Sequence, residues 1–274
     1  MKKAILLPIV LCALSLGSCG AKGEHYNVED YMVDMNFHDD FSIIQFSDLH
    51  LSSQRNLQED YDFLTGLVND FVKTEGKKPD LIVFTGDLFT FASKLTIEKT
   101  FEVFNSWEVP WTLTFGNHDE QLFADFEYAA NAASRYSYCQ FHYLHDDMTG
   151  LTNSIINLKE GGKTKFQLFM IDSNTYSYKG GIGYDWVHED QLNWYEEGIK
   201  SVNLVNNPLW TKGSENTVKS FVFQHIPLKQ FKEAYEGYKA VPPKYEGEGE
   251  NHEGNSPAKY NSGFQIRRLY GRHR

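Results

Sequence analysis

An α/β fold of layered sheets flanked by helices is the class this chain predicts, on three observations. Short apolar runs at residues 41–46, 81–84, 111–115 and 221–223 each end in Gly or a polar cluster, as buried strands do. Between them the apolar spacing changes to that of helices, the alternation typical of βαβ units. The chain has 274 residues, 41% of them hydrophobic and 15% aromatic, enough to bury a sizeable core in one domain.

The elements follow in order. Lys2 and Lys3 precede an apolar stretch at 4–16 that contains Pro8. It is shorter than the roughly 20 residues needed to cross a bilayer, so it reads as a signal peptide. Leu16-Gly17-Ser18-Cys19 resembles a bacterial lipoprotein cleavage box, which implies cleavage before Cys19 and acylation of its sulfur. The organisation predicted is a signal peptide at 1–18, a polar lipid-anchored tether at 19–36 and a catalytic domain at 37–274. Cys12 leaves with the signal, and Cys139 remains as the one free thiol, compatible with export. The expected location is the bacterial cell envelope, periplasmic or outer membrane, held by the N-terminal lipid.

Leu57, Tyr61, Leu64, Val68, Phe71 and Val72 share one helical face, with Asn56 and Glu59 as a capping box and Gly76 and Pro79 as the stop. Ile97, Phe101 and Phe104 mark a second helix before Pro110. Two strands at 153–158 and 166–171 are joined by the Gly161-Gly162 turn. Leu192, Tyr195 and Ile199 mark a third helix, with Glu189 and Asp190 in its acidic first turn. The segment 245–254, rich in Glu and Gly, reads as a mobile loop.

The strand ends carry the chemistry. The run at 41–46 delivers Asp48 and His50, 81–84 delivers Asp87, 111–115 delivers Asn117 and His118, and 221–223 delivers His225. Ligands at strand ends converge on one rim, where a stiff backbone can hold them to the geometry of a metal. Carboxylate, imidazole and amide oxygen without thiolate suit Zn, Mn or Fe and argue against a structural Cys-type zinc site.

Asp48-Leu49-His50, Gly86-Asp87, Gly116-Asn117-His118-Asp119 and Gln224-His225-Ile226-Pro227 resemble, in order, the first four motifs of the calcineurin-like metallophosphoesterases, and Gly183-Tyr184-Asp185-Trp186 followed by Asp190-Gln191 and Trp194 resembles a segment of their purple-acid-phosphatase-like branch. The resemblance covers about 41–263. It implies a four-layer αββα sandwich of two mixed sheets flanked by helices. It also implies two divalent metal ions (Fe, Mn or Zn), with Asp48 and His50 on one, Asn117 and His225 on the other, and Asp87 bridging. His118, free of the metals, is then the general acid, and Asp119 holds its imidazole in the useful tautomer. Attack by a hydroxide on the metals runs in line with the leaving group, without a phosphoenzyme.

One departure stands out. The family's fifth motif, Gly-His-x-His, does not follow Asn261-Ser262-Gly263, and Gly271-Arg272-His273-Arg274 matches it poorly. The expectation is therefore a domain with its last strands missing and one imidazole short at each metal; were the site complete instead, His252 or His273 would have to complete it.

Charge narrows the partners. The net charge is −11, which repels polyanions and excludes nucleic acid. A small phosphate ester or a phosphoprotein is the expected substrate, drawn in by bound cations. The alternative is an inactive remnant or a metal- or phosphate-binding module. A Ser-His-Asp hydrolase is excluded by the lack of a Gly-x-Ser-x-Gly elbow. Of the other polar groups, His142, His145, Asp146 and Asp147 read as solvated surface, and Asp172 and Asn174 as either strand-end turn chemistry or support for the site.

Overall fold

The computed structural model describes residues 26–121, 124–145, 148–177, 183–228 and 230–231, and the backbone of 258–259 and 265–270. The stretch at 1–18 read as a signal peptide, Cys19, Asp146, Asp147, the segment 245–254 and the ending at 271–274 lie outside these residues. Among the described residues no helix is long and apolar enough to cross a membrane.

Two sheets make the frame. The first has the order β10–β11–β2–β3–β4, with β2 (Ser42–Ser47), β3 (Leu81–Thr85), β4 (Trp111–Thr114), β10 (Ala258–Lys259) and β11 (Gln265–Tyr270). The second has the order β1–β5–β6–β9, with β1 (Met32–Asn36), β5 (Ser154–Glu160), β6 (Lys163–Met170) and β9 (Lys219–Phe223). Both are mixed: β2, β3, β4 and β11 run parallel, β10 antiparallel to β11, and β5 antiparallel to β6.

The layering follows from the period of two along each strand. Ile43, Leu81 and Val83 of the first sheet meet Ile156, Leu158, Leu168 and Met170 of the second in one apolar layer. The alternate residues Ile44, Phe46, Ile82 and Phe84 face helices α1 (Gln58–Glu75), α2 (Lys94–Ser106) and α3 (Phe126–Ser134). On the far side Ile155 and Phe169 pack with Trp194 of helix α4 (Glu189–Asn206). The order helix, sheet, sheet, helix is thus the αββα sandwich. Phe84, Phe101, Phe104 and Trp111 are fully buried and in ring contact with one another, Phe84 and Phe104 with centroids 4.0 Å apart. Each such side chain contributes roughly 1.5–3 kcal/mol.

Several expectations are corrected. The segment expected to be a tether is in part folded: β1 pairs in register with β5 from Met32 to Asn36, because Tyr31 and Met32 have an apolar layer to join. Nor is the sheet without a strand after Gly263. β11 lies beside β2 over six register pairs, Gln265 to Ser42 through Tyr270 to Ser47. Arg267 and Arg268 break the apolar run that would have announced it, whereas pairing needs only backbone groups. The Asn56–Glu59 box does not form; Asn56 Oδ1 instead accepts from the N–H of Gln58 at 3.1 Å. Gly76 does stop α1, in the left-handed region at φ 72°. Helix α4 buries Gln191, Trp194, Gly198 and Val202 and leaves Leu192 half exposed.

Candidate metal centre

The loops after β2 and β3 continue to pair beyond the strands. The N–H of Asp48 donates to Gly86 O at 3.1 Å, that of His50 to Asp87 O at 2.9 Å and that of Leu51 to Leu88 O at 2.8 Å. This zipper brings the first two motifs side by side, in strained backbone: Asp48, His50 and Asp87 have φ of 59°, 48° and 52°. Non-glycine residues adopt that region at a cost of order 1–3 kcal/mol each, and persist there where the surroundings enforce it, commonly at functional sites.

Asp87 lies at the middle. It is buried, and its two oxygens point at different imidazoles, Oδ1 at Nε2 of His225 (3.3 Å) and Oδ2 at Nε2 of His50 (3.7 Å). Oδ1 also accepts the N–H of His118 at 2.9 Å. Nδ1 of His225 lies 2.9 Å from Thr85 O. A carbonyl only accepts, so that nitrogen carries the proton and Nε2 faces the carboxylate. Burial disfavours the imidazolium, but the hydrogen bond and charge of Asp87 outweigh it and raise His225 to about 9. Burial likewise pushes Asp87 up, and His225 more than reverses this, leaving its pKa lowered. Asp48 accepts from the Ser47 hydroxyl at 2.5 Å.

The glycines of the motifs give this packing room. A Cβ at Gly116 would come within 2.6 Å of His225 Cδ2 and closer still to Asp87 Oδ1, and one at Gly86 within 2.5 Å of the His225 Cβ. Gly116 has φ −117°, which any residue adopts, so at that position close approach alone requires glycine.

Divalent cations fit this donor set. His50, Asp87 and His118 form one group and Asp48, Asp87 and His225 a second, in each of which the ligand atoms lie within 4.8 Å of one another. Asp87 is common to both, as a bridging carboxylate must be. The grouping differs from the one implied by the motifs. Asp48 sits with His225 rather than with His50, and His118 stands with His50, their ring centroids 4.8 Å apart.

Asn117 is buried at the same rim. Its Nδ2 donates to the Tyr176 hydroxyl at 2.9 Å, which fixes the amide. Asp119 does not hold His118. It is fully buried, and its carboxylate accepts the N–H groups of Phe89 and Gly116, each at 2.8 Å, tying the second motif to the third. Burial pushes its pKa to about 8, although those hydrogen bonds oppose it. Nδ1 of His118 instead meets Gln121 Oε1 at 3.0 Å, an oxygen that also accepts from the Thr90 hydroxyl at 3.2 Å.

Asp172 is structural support. Fully buried, it accepts from the N–H groups of Leu151, Thr152 and Asn174 and from the Thr152 hydroxyl, while the Thr152 oxygen accepts the N–H of Phe115. His142 and His145 are exposed. Tyr176 and Gln121 were not foreseen. Gln121 had a signal, its place three residues after His118 on a single helical turn; Tyr176, 59 residues from its partner, had none.

The family model described as calcineurin-like phosphoesterase matches residues 41–258. Phosphatase DCR2 of Saccharomyces cerevisiae is 30% identical over 214 residues, covering 70% of this chain and 35% of the yeast protein. Two Arabidopsis thaliana proteins, probable inactive purple acid phosphatase 14 and probable inactive purple acid phosphatase 29, are 25% and 28% identical. Each alignment with them covers 82% of this chain and 62% of the relative. The chain therefore spans about a third to three-fifths of the length of these relatives.

Proposed function

The chain belongs to the calcineurin-like phosphoesterase family, and from that premise we propose that it hydrolyses phosphate esters at a centre of two divalent cations sharing Asp87. The family supports phosphoester hydrolysis in general; the roles of individual residues are our reading. One observation carries it: a buried carboxylate whose two oxygens face two separate groups of donors.

In this reading His50 on one side and Asp48 with His225 on the other flank the bridge, His118 stays off the cations, and Asn117 offers its Oδ1 because Tyr176 occupies its Nδ2. Cations held there would supply a deprotonated water as nucleophile and neutralise charge on the phosphoryl oxygens. The chain supplies the proton. Gln121 accepts from Nδ1 of His118, so a proton on Nε2 is the one available to the leaving oxygen. As the water oxygen bonds to phosphorus, the bond from phosphorus to the leaving oxygen breaks. That oxygen keeps the electron pair and takes the His118 proton, and the imidazole is reprotonated from solvent. The products are an alcohol and a phosphate.

Removing the imidazole tests this. His118→Ala should slow esters of poor leaving groups by about 10²–10⁴ and activated aryl esters far less. Equal losses on both would assign His118 to binding alone. The names of two relatives contain the word inactive, which favours a second reading, a metal- or phosphate-binding module without turnover. Cation binding together with no hydrolysis of any ester in a broad panel would establish that one.

A further inference from the structure

A cleft of about 870 Å³ opens directly from the metal centre, with Asn117 and His225 in its lining. Its other wall is apolar and aromatic, formed by Tyr184, Trp186, Leu192 and Leu228. These are large apolar side chains left 62%, 47%, 51% and 41% exposed, gathered beside the site of chemistry rather than scattered over the surface, and such a patch marks a binding surface.

The wall is also held in place. The Trp186 ring stacks on His188 at 5.5 Å and 14°, His188 Nε2 is 3.2 Å from Asp185, and the Asn174 amide donates to Trp186 O at 2.8 Å. Tyr184 on strand β8 (Gly183–Tyr184) stacks at 5.8 Å on Tyr176 of strand β7 (Tyr176–Ser177). Tyr176 in turn takes the Nδ2 hydrogen bond of Asn117. A phosphate ester positioned at Asp87 and His225 therefore lies beside a rigid aromatic surface whose second strand is bonded to a residue of the centre.

We propose that this cleft binds the alcohol part of the substrate and selects for uncharged aromatic alcohols, so that the preferred substrates are aryl phosphate esters. Flat rings gain from stacking on Trp and Tyr beyond the area they bury. A leaving group carrying further phosphates or carboxylates is disfavoured. On the wall away from His225, Asp185 is the acidic group of the described lining, and it repels a second anion placed beside it. The proposal rests on the hydrolytic reading for the word substrate, but the cleft can be tested without it.

The probes are 2-naphthol, 2-naphthyl phosphate and glycerol 2-phosphate, and the variants of the full chain are Trp186→Ala and Leu192→Ala, both at half-exposed positions where truncation leaves the core intact. Naphthol fluorescence anisotropy should show saturable binding to the parent protein and about tenfold weaker binding to Trp186→Ala. In the metal-loaded protein, the ratio of kcat/KM for the naphthyl ester to that for the glycerol ester should fall about tenfold in Trp186→Ala and less in Leu192→Ala. No saturable naphthol binding, or an unchanged ratio in both variants, overturns the proposal. If naphthol binds and Trp186→Ala weakens it while neither ester is hydrolysed, the cleft stands and the hydrolytic reading falls.

Discussion

Where β2 and β3 begin, His38 bridges Asp40 at 2.6 Å and Asp80 at 2.9 Å, Lys77 reaches Asp40 at 2.7 Å and Asp80 at 3.6 Å, and Asp80 also accepts from the N–H and hydroxyl of Ser42. Where the same strands end, Asp48 and Asp87 face only histidines and short-range donors, and among the described residues no Lys or Arg pairs with either. Both clusters are aspartate and histidine. The first is neutralised by Lys77 together with protonated His38 and lies outside the left-handed region; the second sets one imidazolium, His225, against two aspartates, is partly buried and lies in left-handed backbone. A carboxylate that is buried without a matching cation is costly, and a divalent ion between the strand ends removes that deficit.

The largest effect expected from breaking this contrast is at Asp87. Asp87→Ala should abolish cation binding in both groups at once, because an Ala side chain cannot hold two ions together. Metal content per chain, and the rise in Tm on adding cation, measure it. Two ions retained in the variant would refute the shared carboxylate.

Gly116→Ala comes next and isolates geometry from charge. The backbone there accepts alanine, and the added Cβ collides with Asp87 and His225. Displacement of either by about 1 Å should lower turnover about 100-fold. Gly66 supplies the control: it lies within α1 with nothing within 4 Å of an added Cβ, so Gly66→Ala should stabilise the fold by up to about 1 kcal/mol with turnover retained. Equal turnover in both variants would show that the tight packing at Gly116 has no part in activity.

These motifs were legible in the sequence because short-range features write them. An apolar run, a glycine and a polar residue are contiguous, and the layered fold follows from alternation within each run. The remainder depends on contacts between distant residues. Asn117 and Tyr176 meet across the ends of two sheets, and the left-handed backbone of Asp48, His50 and Asp87 lies in two loops, distant in sequence, that zip together. Asp119 was misread as the partner of His118 because adjacency in sequence stood in for proximity. Neighbouring side chains on a helical turn diverge, while a residue three further on returns to the same face, and that residue is Gln121. Strand β11 stayed hidden because a strand inside a sheet can be held by backbone pairing while its sequence is broken by arginines.

A smaller effect is expected at Tyr176. Tyr176→Phe keeps the ring stacked on Tyr184 and deletes the oxygen that orients Asn117. Cation affinity should weaken about tenfold, the low end for loss of a group that orients a ligand, with Tm nearly unchanged without metal. Titration with Mn or Zn by calorimetry reads the affinity directly; parent-like binding would leave Tyr176 a purely structural residue.

The smallest effect lies at the opposite end of the sheet and turns on pH. His38 is partly exposed. Burial alone would lower its pKa, but hydrogen bonds and charge from Asp80 and Asp40 outweigh it, so the folded-state value is raised above the ordinary 6.5. A histidine raised on folding contributes stability that is fully present below about 6.5, where both states are protonated and only the folded one has partners, and that is lost as pH rises through the folded value. His38→Ala should therefore destabilise the chain more at pH 5.5 than at pH 8.5. Screening by solvent keeps the difference to roughly 0.2–1 kcal/mol, and urea midpoints at the two pH values, with cation absent, measure it. A loss that is the same at both, or larger at the alkaline value, would mean that the cluster is not held by an imidazolium, and the contrast between a neutralised end and a charge-deficient end would have to rest on Lys77 alone.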